Sequence, residues 1–471
     1  MILVASAAGS APPEGFHLTS DSFKDPAHRI DAHELKVASG TRTYVVAPIL
    51  SRRAAEADGS RSPAAKLDEA IGLAAAIDLN VVGSALVTLA EIRPSTYIGK
   101  GKVDEIKTIV EGEDITLVLM DCALSPVQQR NLERVWGAKV IDRTGLILEI
   151  FGRRARTREG TLQVELAHLN YQKGRLVRSW THLERQRGGG GFLGGPGETQ
   201  IESDRRLLQD RIVKIERELE QVKRTRALHR VSRRKVPYPI VALVGYTNAG
   251  KSTLFNRLTR ADVLAEDMLF ATLDPTLRAL KLPHGTKAIL SDTVGFISEL
   301  PTMLVAAFRA TLEEVLEADV ILHVRDISHG DSEAQAADVR GILESLGVEA
   351  SAARALIEVW NKVDLLDGPA REALVTASRR DGDRRPVVVS AIGGEGIDLL
   401  LERIETMVSA GRLTLTVDVP PTDGAGLAWL HDNCDVLRRQ TNEDGVTHVT
   451  VRVAPARVNQ IRRRFGLTLV A

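Results

Sequence analysis

The sequence predicts an α/β fold, because short apolar runs alternate with helical patterns along most of the chain. Between residues 43 and 143, strand-like runs at 44–50, 81–89 and 115–120 are separated by segments with helical spacing of apolar residues. A second series begins at the apolar run 240–244, which leads directly into a glycine-rich loop and a helical pattern. Strands that alternate with helices form parallel sheets, so we expect mostly parallel sheets with helices on both faces.

A chain of 471 residues is too long for a single core, and breaks in the pattern divide it. We expect, in order, a flexible tail at 1–40, a small α/β domain at 41–143, a long helical hairpin at 144–235 with a glycine-rich tip at 188–197, a nucleotide-binding domain at 237–412 and a small C-terminal α/β domain at 413–471. In the last domain the patterns predict a strand at 414–419, a helix at 426–437, a strand at 447–453 and a helix at 456–465.

The hairpin prediction depends on two apolar stripes. The stretch 144–185 has few helix breakers, and four of its leucines fall on one helical face: Leu162, Leu166, Leu169 and Leu176. A second helix near residue 199 carries apolar residues at alternating steps of four and three: Leu208, Ile212, Ile215, Leu219 and Val222. This heptad spacing predicts an antiparallel pair of packed helices. The alternative is a helix lying on the surface of a globular domain.

The net charge of zero conceals one basic region. Residues 151–235 carry 21 Lys and Arg against 10 Asp and Glu. Clustered basic side chains gain affinity for phosphates by releasing counterions, so a polyanionic partner such as RNA is one interpretation. A solvated helical surface without such a partner is the other.

Cysteine usage and hydropathy indicate the compartment. Cys122 and Cys434 are far apart and have no CxxC or metal-ligand partner, which is typical of a reducing environment. No window approaches the run of about 20 apolar residues that a membrane helix needs. We therefore expect a cytoplasmic protein without a membrane span.

The segment 245–252 matches the phosphate-loop pattern G-x-x-x-x-G-K-[ST], between a strand and a helix. Its backbone N–H groups are expected to face the phosphates, Lys251 to reach the β- and γ-phosphates, and the Ser252 hydroxyl to bind Mg²⁺. The predicted phosphate-binding residues are Gly245, Tyr246, Thr247, Asn248, Ala249, Gly250, Lys251, Ser252 and Thr253.

Three further motifs follow in order, each at the end of a strand. Asp292 is expected to hold Mg²⁺ through water and the Gly295 N–H to sense the γ-phosphate. Asp364 can accept hydrogen bonds from guanine N1–H and its amino group, which adenine does not offer. A backbone N–H of the Ser390–Ala391 pair is expected to meet guanine O6. Together these motifs predict a P-loop GTPase domain with the further site residues Asp292, Thr293, Val294, Gly295, Asn361, Lys362, Asp364, Ser390 and Ala391.

The switch threonine that completes the Mg²⁺ site lies between the first two motifs. Thr272 and Thr276 are both candidates, and Thr272 is favoured because Pro275 stiffens the chain before Thr276. Phe270 and Ala271 precede it and are expected to face the nucleotide. We expect Lys251, Thr272 and Gly295 to act in catalysis. Phe296 stands where many GTPases carry a water-orienting glutamine, so intrinsic hydrolysis should be slow until a partner completes the site.

At this point the sequence resembles the HflX family of ribosome-associated translational GTPases. The resemblance extends from about residue 43 to the C-terminal domain and includes the switch segments around Phe270 and Phe296. Its N-terminal signatures are the segments 97–102, 124–132, 141–144, 156–160, 162–166 and 195–199.

The resemblance implies a GTPase that binds GTP and GDP with Mg²⁺ and contacts the large ribosomal subunit and its RNA. It also implies ribosome-stimulated hydrolysis and the splitting of stalled or idle ribosomes under stress. An assembly or regulatory GTPase acting on the large subunit without splitting is the alternative. The expected protein is a monomer, with a peripheral membrane-associated fraction as a further expectation. The expected ribosome contacts are Arg185, Arg187, Gly188, Gly189, Gly190 and Gly191.

Three details depart from or add to the family pattern. Residues 171–176 lack the family's proline-containing form, and Gly194 and Gly195 replace a more usual Arg-Gly pair, so the tip contacts should differ. Asn248 resembles the loop asparagine of potassium-activated GTPases that also lack the glutamine. K⁺ is therefore a candidate second ion beside the phosphates; a turn-capping role for Asn248 is the alternative.

Overall fold

The computed structural model describes most of the chain. The described residues are 38–51, 61–179, 200–233, 238–260, 269–270, 272–273, 275–299, 312, 314–347, 355–378, 385–409, 413–442, 444–453 and 455–466. Most of the predicted tail at 1–40, the glycine-rich tip at 188–197, and the site residues Ala271, Arg185 and Arg187 lie outside them.

The N-terminal α/β unit contains a parallel sheet with the strand order β2-β1-β3-β4. Capping residues in the sequence set both ends of the helix at 126–136. Ser125 forms a capping box with Gln128 at its start, and Gly137 ends it in the left-handed region. The elements are β1 (Arg42–Leu50), α1 (Pro63–Ala75), β2 (Asn80–Leu89), α2 (Lys100–Gly112), β3 (Leu117–Met120), α3 (Pro126–Trp136) and β4 (Lys139–Asp142).

The scarcity of helix breakers predicted one helix over 144–185, but the structure has two helices there. Helix α4 (Arg143–Arg154) begins at once after β4, where the Asp142 carboxylate accepts a hydrogen bond from the Gly145 N–H. Helix α5 (Arg158–Ser179) starts after a break at which Thr157 Oγ1 accepts from the Gly160 N–H. Helix α4 is buried against β3, β4 and α1 of the N-terminal unit and also packs against α5. It therefore links the N-terminal sheet to the first helix of the hairpin.

Helices α5 and α6 (Gln200–Arg233) pair in antiparallel fashion. Arg158 pairs with Glu218 near one end of the contact, whereas Lys173 bonds to Gln209 near the other. Leu162 packs against two of the predicted seam residues, Ile215 and Leu219. The burial of Leu208, Ile212, Ile215 and Leu219 confirms the heptad seam. No helix in the described part of the chain, α6 included, is both long and apolar enough to cross a bilayer.

The nucleotide-binding unit confirms the expected mostly parallel sheet. Its order is β10-β9-β8-β5-β7-β6, with β6 antiparallel to β7 and the other pairs parallel. Its elements are β5 (Ile240–Gly245), α7 (Lys251–Thr259), β6 (Thr276–Lys281), β7 (Lys287–Asp292), β8 (Val320–Asp326), α8 (Ser332–Ser345), β9 (Ala355–Asn361), α9 (Gly368–Ser378), β10 (Val387–Val388) and α10 (Ile397–Ser409).

The C-terminal unit contains a strand that the sequence did not indicate. The helix expected at 426–437 ends at residue 433, and the chain continues as an edge strand that pairs with the next one. Exposed Arg438 and Arg439 hide this strand in the sequence, because edge strands tolerate charged residues that buried strands exclude. The antiparallel sheet has the order β11-β13-β12. Its elements are β11 (Leu413–Val419), α11 (Gly424–Asn433), β12 (Asp435–Thr441), β13 (Thr447–Val453) and α12 (Pro455–Phe465).

One hydrophobic cluster is continuous from the N-terminal sheet to the nucleotide-binding sheet. It contains Val45 and Phe151 on one side and Val244 and Phe296 on the other. The N-terminal unit is therefore packed directly against the back of the nucleotide site.

Two adjacent leucines on α6 provide a test of the seam. Leu208 is 3% exposed, whereas Leu207 is 39% exposed. Leu208→Ala should lower the free energy of opening of the hairpin by about 2–5 kcal/mol, because it leaves a cavity between the helices. Leu207→Ala removes the same atoms from a solvated position and should stay within about 0.5 kcal/mol of wild type. Native-state hydrogen exchange of the α6 amides measures both. Equal effects of the two substitutions would contradict the packing.

Candidate nucleotide site

The phosphate loop leaves β5 and enters α7 through two glycines that no other residue could replace without displacing backbone or a buried amide. A Cβ on Gly245 would lie 2.2 Å from the Val324 carbonyl oxygen, and one on Gly250 would lie 2.3 Å from the Asn361 amide nitrogen. Gly250 also has a φ of +86°, which favours glycine. These close approaches bring the loop against β8 and β9, where the base-reading motif begins.

The Lys251 ammonium lies beneath this loop. Its Nζ donates to the carbonyl oxygens of Tyr246 (2.7 Å) and Gly245 (3.2 Å). Burial lowers the pKa of Lys251 to about 8, although the nearby Asp292 carboxylate acts in the opposite direction. A buried cation at the start of a helix is suited to bind phosphate oxygens.

Three oxygen-bearing side chains converge beside Lys251. Ser252 Oγ lies 2.9 Å from Thr272 Oγ1 and donates to Asp292 Oδ2 at 2.8 Å, and Thr272 Oγ1 donates to the same carboxylate oxygen at 3.0 Å. Oxygen ligands in this number suit Mg²⁺, which keeps part of its water shell. The second carboxylate oxygen, Asp292 Oδ1, is buried without a hydrogen-bond partner among the described residues, so it is available to a metal-bound water. The residues therefore fit the ion.

This convergence favours Thr272 over Thr276 as the switch threonine. Thr276 is already the first residue of β6 and is paired in register with Asp292 across the sheet. Phe270 lies just before Thr272, buried in the left-handed region with its ring edge-on to Phe151 at 4.8 Å between centroids. The Phe270 side chain is therefore packed into the core. The prediction that it faces the nucleotide was wrong.

The base-reading motif is organised by Asn361, which is 2% exposed. Its Nδ2 donates to the Ala249 carbonyl (2.9 Å) in the phosphate loop, and its Oδ1 accepts from the Ala391 N–H (3.0 Å). Asp364 is exposed on a short 3-10 helix (Val363–Leu365), where its carboxylate can meet a base. Lys362 pairs with Asp326 at 2.8 Å, a partner that the sequence did not single out.

The role expected of the Ser390–Ala391 pair needs correction. The Ser390 N–H donates to the Glu395 carbonyl and the Ala391 N–H to Asn361, both at 3.0 Å. Both N–H groups already donate to acceptors inside the protein. Neither is therefore free for guanine O6, although the sequence predicted that one would be. The pair instead fixes the Asn361 amide, and a contact from Ala391 to O6 would have to share or replace that bond.

The segment after Asp292 lies against the phosphate loop. The Phe296 N–H donates to the Gly245 carbonyl (3.1 Å), and the Phe296 carbonyl accepts from the Thr247 N–H (2.7 Å). A Cβ on Gly295 would lie 2.9 Å from Thr247 Cα and 3.0 Å from Lys251 Nζ. The Phe296 side chain is buried in the core. It cannot orient an attacking water, as the sequence indicated.

Asn248 has a φ of +59° and an exposed side chain with no hydrogen bond to any residue that the structure describes. The turn-capping alternative therefore has no support in the described structure. The K⁺ role stays a prediction.

A cluster that the sequence analysis missed lies behind the loop. Arg61, Glu69 and Arg143 of the N-terminal unit bond to Tyr246 and Ser298. Charged residues separated by more than a hundred positions from their partners leave no local signal in a single sequence.

Thr272→Ala and Thr276→Ala form a matched pair for the Mg²⁺ site. Thr272→Ala should lower GTP turnover by a factor of about 10 or more and raise the Mg²⁺ concentration needed for half-maximal rate, because it removes one ligand oxygen. Thr276→Ala should leave both quantities near wild type. Turnover measured over a Mg²⁺ titration compares them, and a larger loss for Thr276→Ala would reverse the assignment.

Comparison with known proteins identifies the family. Residues 64–152 and 154–233 match models described as the N-terminal and middle regions of GTP-binding GTPases, residues 240–362 match a 50S ribosome-binding GTPase model, and residues 376–470 match the HflX C-terminal domain. GTPase HflX of Magnetococcus marinus is 50% identical over 84% of this chain and 90% of its own length. GTPase HflX of Escherichia coli is 47% identical over 76% and 83%.

Among solved structures, the crystal structure of SsGBP with GDP is 25% identical and covers 79% of this chain and 99% of that one, with a TM-score of 0.45. The family models together span nearly all of the described chain, and the relatives match it over most of their length. The chain therefore belongs to the HflX family of GTPases, and GTP hydrolysis is the reaction of the site described above.

Proposed function

We propose that this GTPase binds the large ribosomal subunit in the cytoplasm and uses GTP binding and hydrolysis to dissociate or recycle stalled or idle ribosomes under stress. The observation that carries the proposal is the two-helix arm formed by α5 and α6, inserted between the N-terminal sheet and the nucleotide-binding unit. The buried apolar contacts between the two helices make the arm a stiff support for the residues that connect them.

The arm is basic on its solvent side. Arg205, Lys214, Arg217 and Arg224 of α6 are all exposed, and residues 151–235 as a whole carry twice as many basic as acidic residues. Basic side chains on a rigid helix suit the phosphates of RNA, and glycines at the connection allow close approach to a narrow RNA surface. We assign the RNA contact to Arg185, Arg187 and Gly188 to Gly191.

The nucleotide site supplies a reason for coupling to the ribosome. In this proposal Lys251 would meet the β- and γ-phosphates, and Ser252, Thr272 and Asp292 would hold the Mg²⁺, which neutralises charge on the phosphates when bound. The residue directly after Gly295 does not orient the attacking water, because the Phe296 side chain is buried and apolar. A group supplied or released on ribosome binding completes the site in this proposal, so hydrolysis is delayed until the subunit is engaged.

Sucrose-gradient analysis tests the proposal. Ribosomes incubated with the protein and GTP should shift from the intact particle to separate subunits, and Arg185→Ala/Arg187→Ala should lose both this shift and the ribosome stimulation of turnover. Arg438→Ala/Arg439→Ala, in the exposed edge strand β12 outside the arm, removes the same charge and is the matched control. Nucleotide affinity should be unchanged in both variants, because neither pair belongs to the motifs that bind the nucleotide.

Deletion of residues 188–194 should act like the substitution of the two arginines. If the wild-type protein binds the large subunit and hydrolyses GTP without loss of the intact-ribosome peak, the splitting proposal is wrong, and an assembly or regulatory role on the large subunit would explain the result.

A further inference from the structure

An ion pair connects the base-reading motif to the neighbouring strand. Asp326 is the last residue of β8, and it is paired in register with Asn361, the last residue of β9. The side chain of the next residue, Lys362, reaches across to β8, where its Nζ lies 2.8 Å from Asp326 Oδ2. The side chains of Asp326 and Lys362 are only 14% and 22% exposed, so water and salt screen this pair little.

The Asp326 carboxylate is itself held in one orientation. Its Oδ1 accepts hydrogen bonds from both the backbone N–H (3.0 Å) and the hydroxyl of Ser328, which leaves Oδ2 for Lys362. The Ile327 N–H, between these two residues, donates to the Asn361 carbonyl at 3.1 Å. A charged acceptor with three donors is therefore fixed beside the end of β9.

Lys362 has a backbone conformation that needs such support. Its φ of +68° and ψ of 31° lie in the left-handed region, which residues other than glycine rarely adopt. Such conformations persist where the surrounding structure fixes them, often at ligand sites. Lys362 also starts the short 3-10 helix Val363–Leu365, because its carbonyl accepts from the Leu365 N–H at 3.1 Å. The conformation of Lys362 therefore sets the direction of the helix that carries Asp364.

Recognition of guanine by Asp364 requires that its carboxylate be aligned with two donors at once, the N1–H and the amino group. A small rotation of the 3-10 helix would weaken one of the two bonds. We propose that Asp326 is a positioning residue for guanine recognition, which holds Lys362 in its left-handed conformation and thereby aligns Asp364 with both donors. The inference rests on base recognition by Asp364 and is independent of ribosome binding.

Inosine diphosphate separates loss of alignment from general weakening of the site. Its base keeps the N1–H and O6 of guanine but lacks the amino group, so Asp364 can form one bond to it in place of two. Loss of alignment should therefore reduce the affinity for GDP more than the affinity for inosine diphosphate. General damage to the site should lower both affinities by the same factor. Calorimetry at one Mg²⁺ concentration measures the two affinities and their ratio.

The wild type should bind GDP about 10-fold or more tightly than inosine diphosphate, because the second hydrogen bond is made to a charged group. Asp326→Asn keeps the shape of the side chain and removes its charge. It should bind GDP about 10-fold more weakly than wild type and lower the preference for GDP by about 5-fold. Turnover at saturating GTP should stay within about 2-fold of wild type, because Asp326 acts at the base end of the site.

Lys362→Met removes the ammonium and keeps an unbranched chain. It should also lower the preference for GDP, and adding Asp326→Asn to it should lower the preference no further, because Asp326 acts through Lys362. A further loss in the double variant would contradict the inference. If Asp326→Asn does not fold, Lys362→Met decides the question, since an unchanged preference in that variant would equally overturn it.

Asp319→Asn is the matched control at the opposite end of the same strand. Asp319 directly precedes β8, is exposed, and accepts a hydrogen bond from the Ile240 N–H at 2.8 Å. The substitution removes the same charge from a carboxylate that supports the sheet far from Lys362, so the preference for GDP should equal that of wild type. The same loss in Asp319→Asn as in Asp326→Asn would show a merely structural role.

Asp364→Asn distinguishes failure of this inference from failure of base recognition. If Asp364→Asn loses the preference for GDP over inosine diphosphate and Asp326→Asn keeps it, Asp364 recognises the base without Asp326, and this inference alone is wrong. If the wild type binds the two nucleotides equally, Asp364 does not bind the amino group, and both the base assignment and this inference fail.

Discussion

The nucleotide site depends on the two hydrogen bonds of the buried Asn361 amide. They tie the phosphate loop at Ala249 to the loop at Ala391, so one side chain sets the distance between the phosphate and base ends of the site. The close approach of Gly250 to the same amide explains why the loop requires glycine there. A buried amide pays for its desolvation only when donor and acceptor are both satisfied, and here both are.

The metal-binding end of the site and its contact with the N-terminal unit follow from this frame. With the loop fixed, Ser252 begins α7 beside Asp292 at the end of β7, and Thr272 reaches the same carboxylate from the switch region. Behind the loop, Tyr246 meets the N-terminal unit, whose core is continuous with that of the nucleotide-binding sheet. The site is therefore open to the nucleotide on one side and packed against a second domain on the other.

Local chemistry made much of this predictable. The glycines, Lys251 and Asp364 occupy positions fixed by short motifs. The apolar seam of α6 follows from a heptad spacing, which places its residues on one face only in a helix. What failed was set by tertiary context. The end of α4 has no breaker, β12 is hidden by exposed arginines, and the Ala391 N–H is used by a residue 30 positions away. The buried contacts of Arg61, Glu69 and Arg143 with Tyr246 and Ser298 arise where distant segments meet, which one sequence does not reveal.

Base recognition by Asp364 tests the central claim, a guanine-specific site organised around Asn361, most directly. Asp364→Asn replaces one acceptor oxygen by a donor, which suits the second carbonyl of xanthine and not the amino group of guanine. Calorimetry with GDP and xanthosine diphosphate should show guanine affinity falling and xanthine affinity rising, with Asp367→Asn, a nearby exposed carboxylate, behaving as wild type. Undiminished GDP binding by Asp364→Asn would contradict the account.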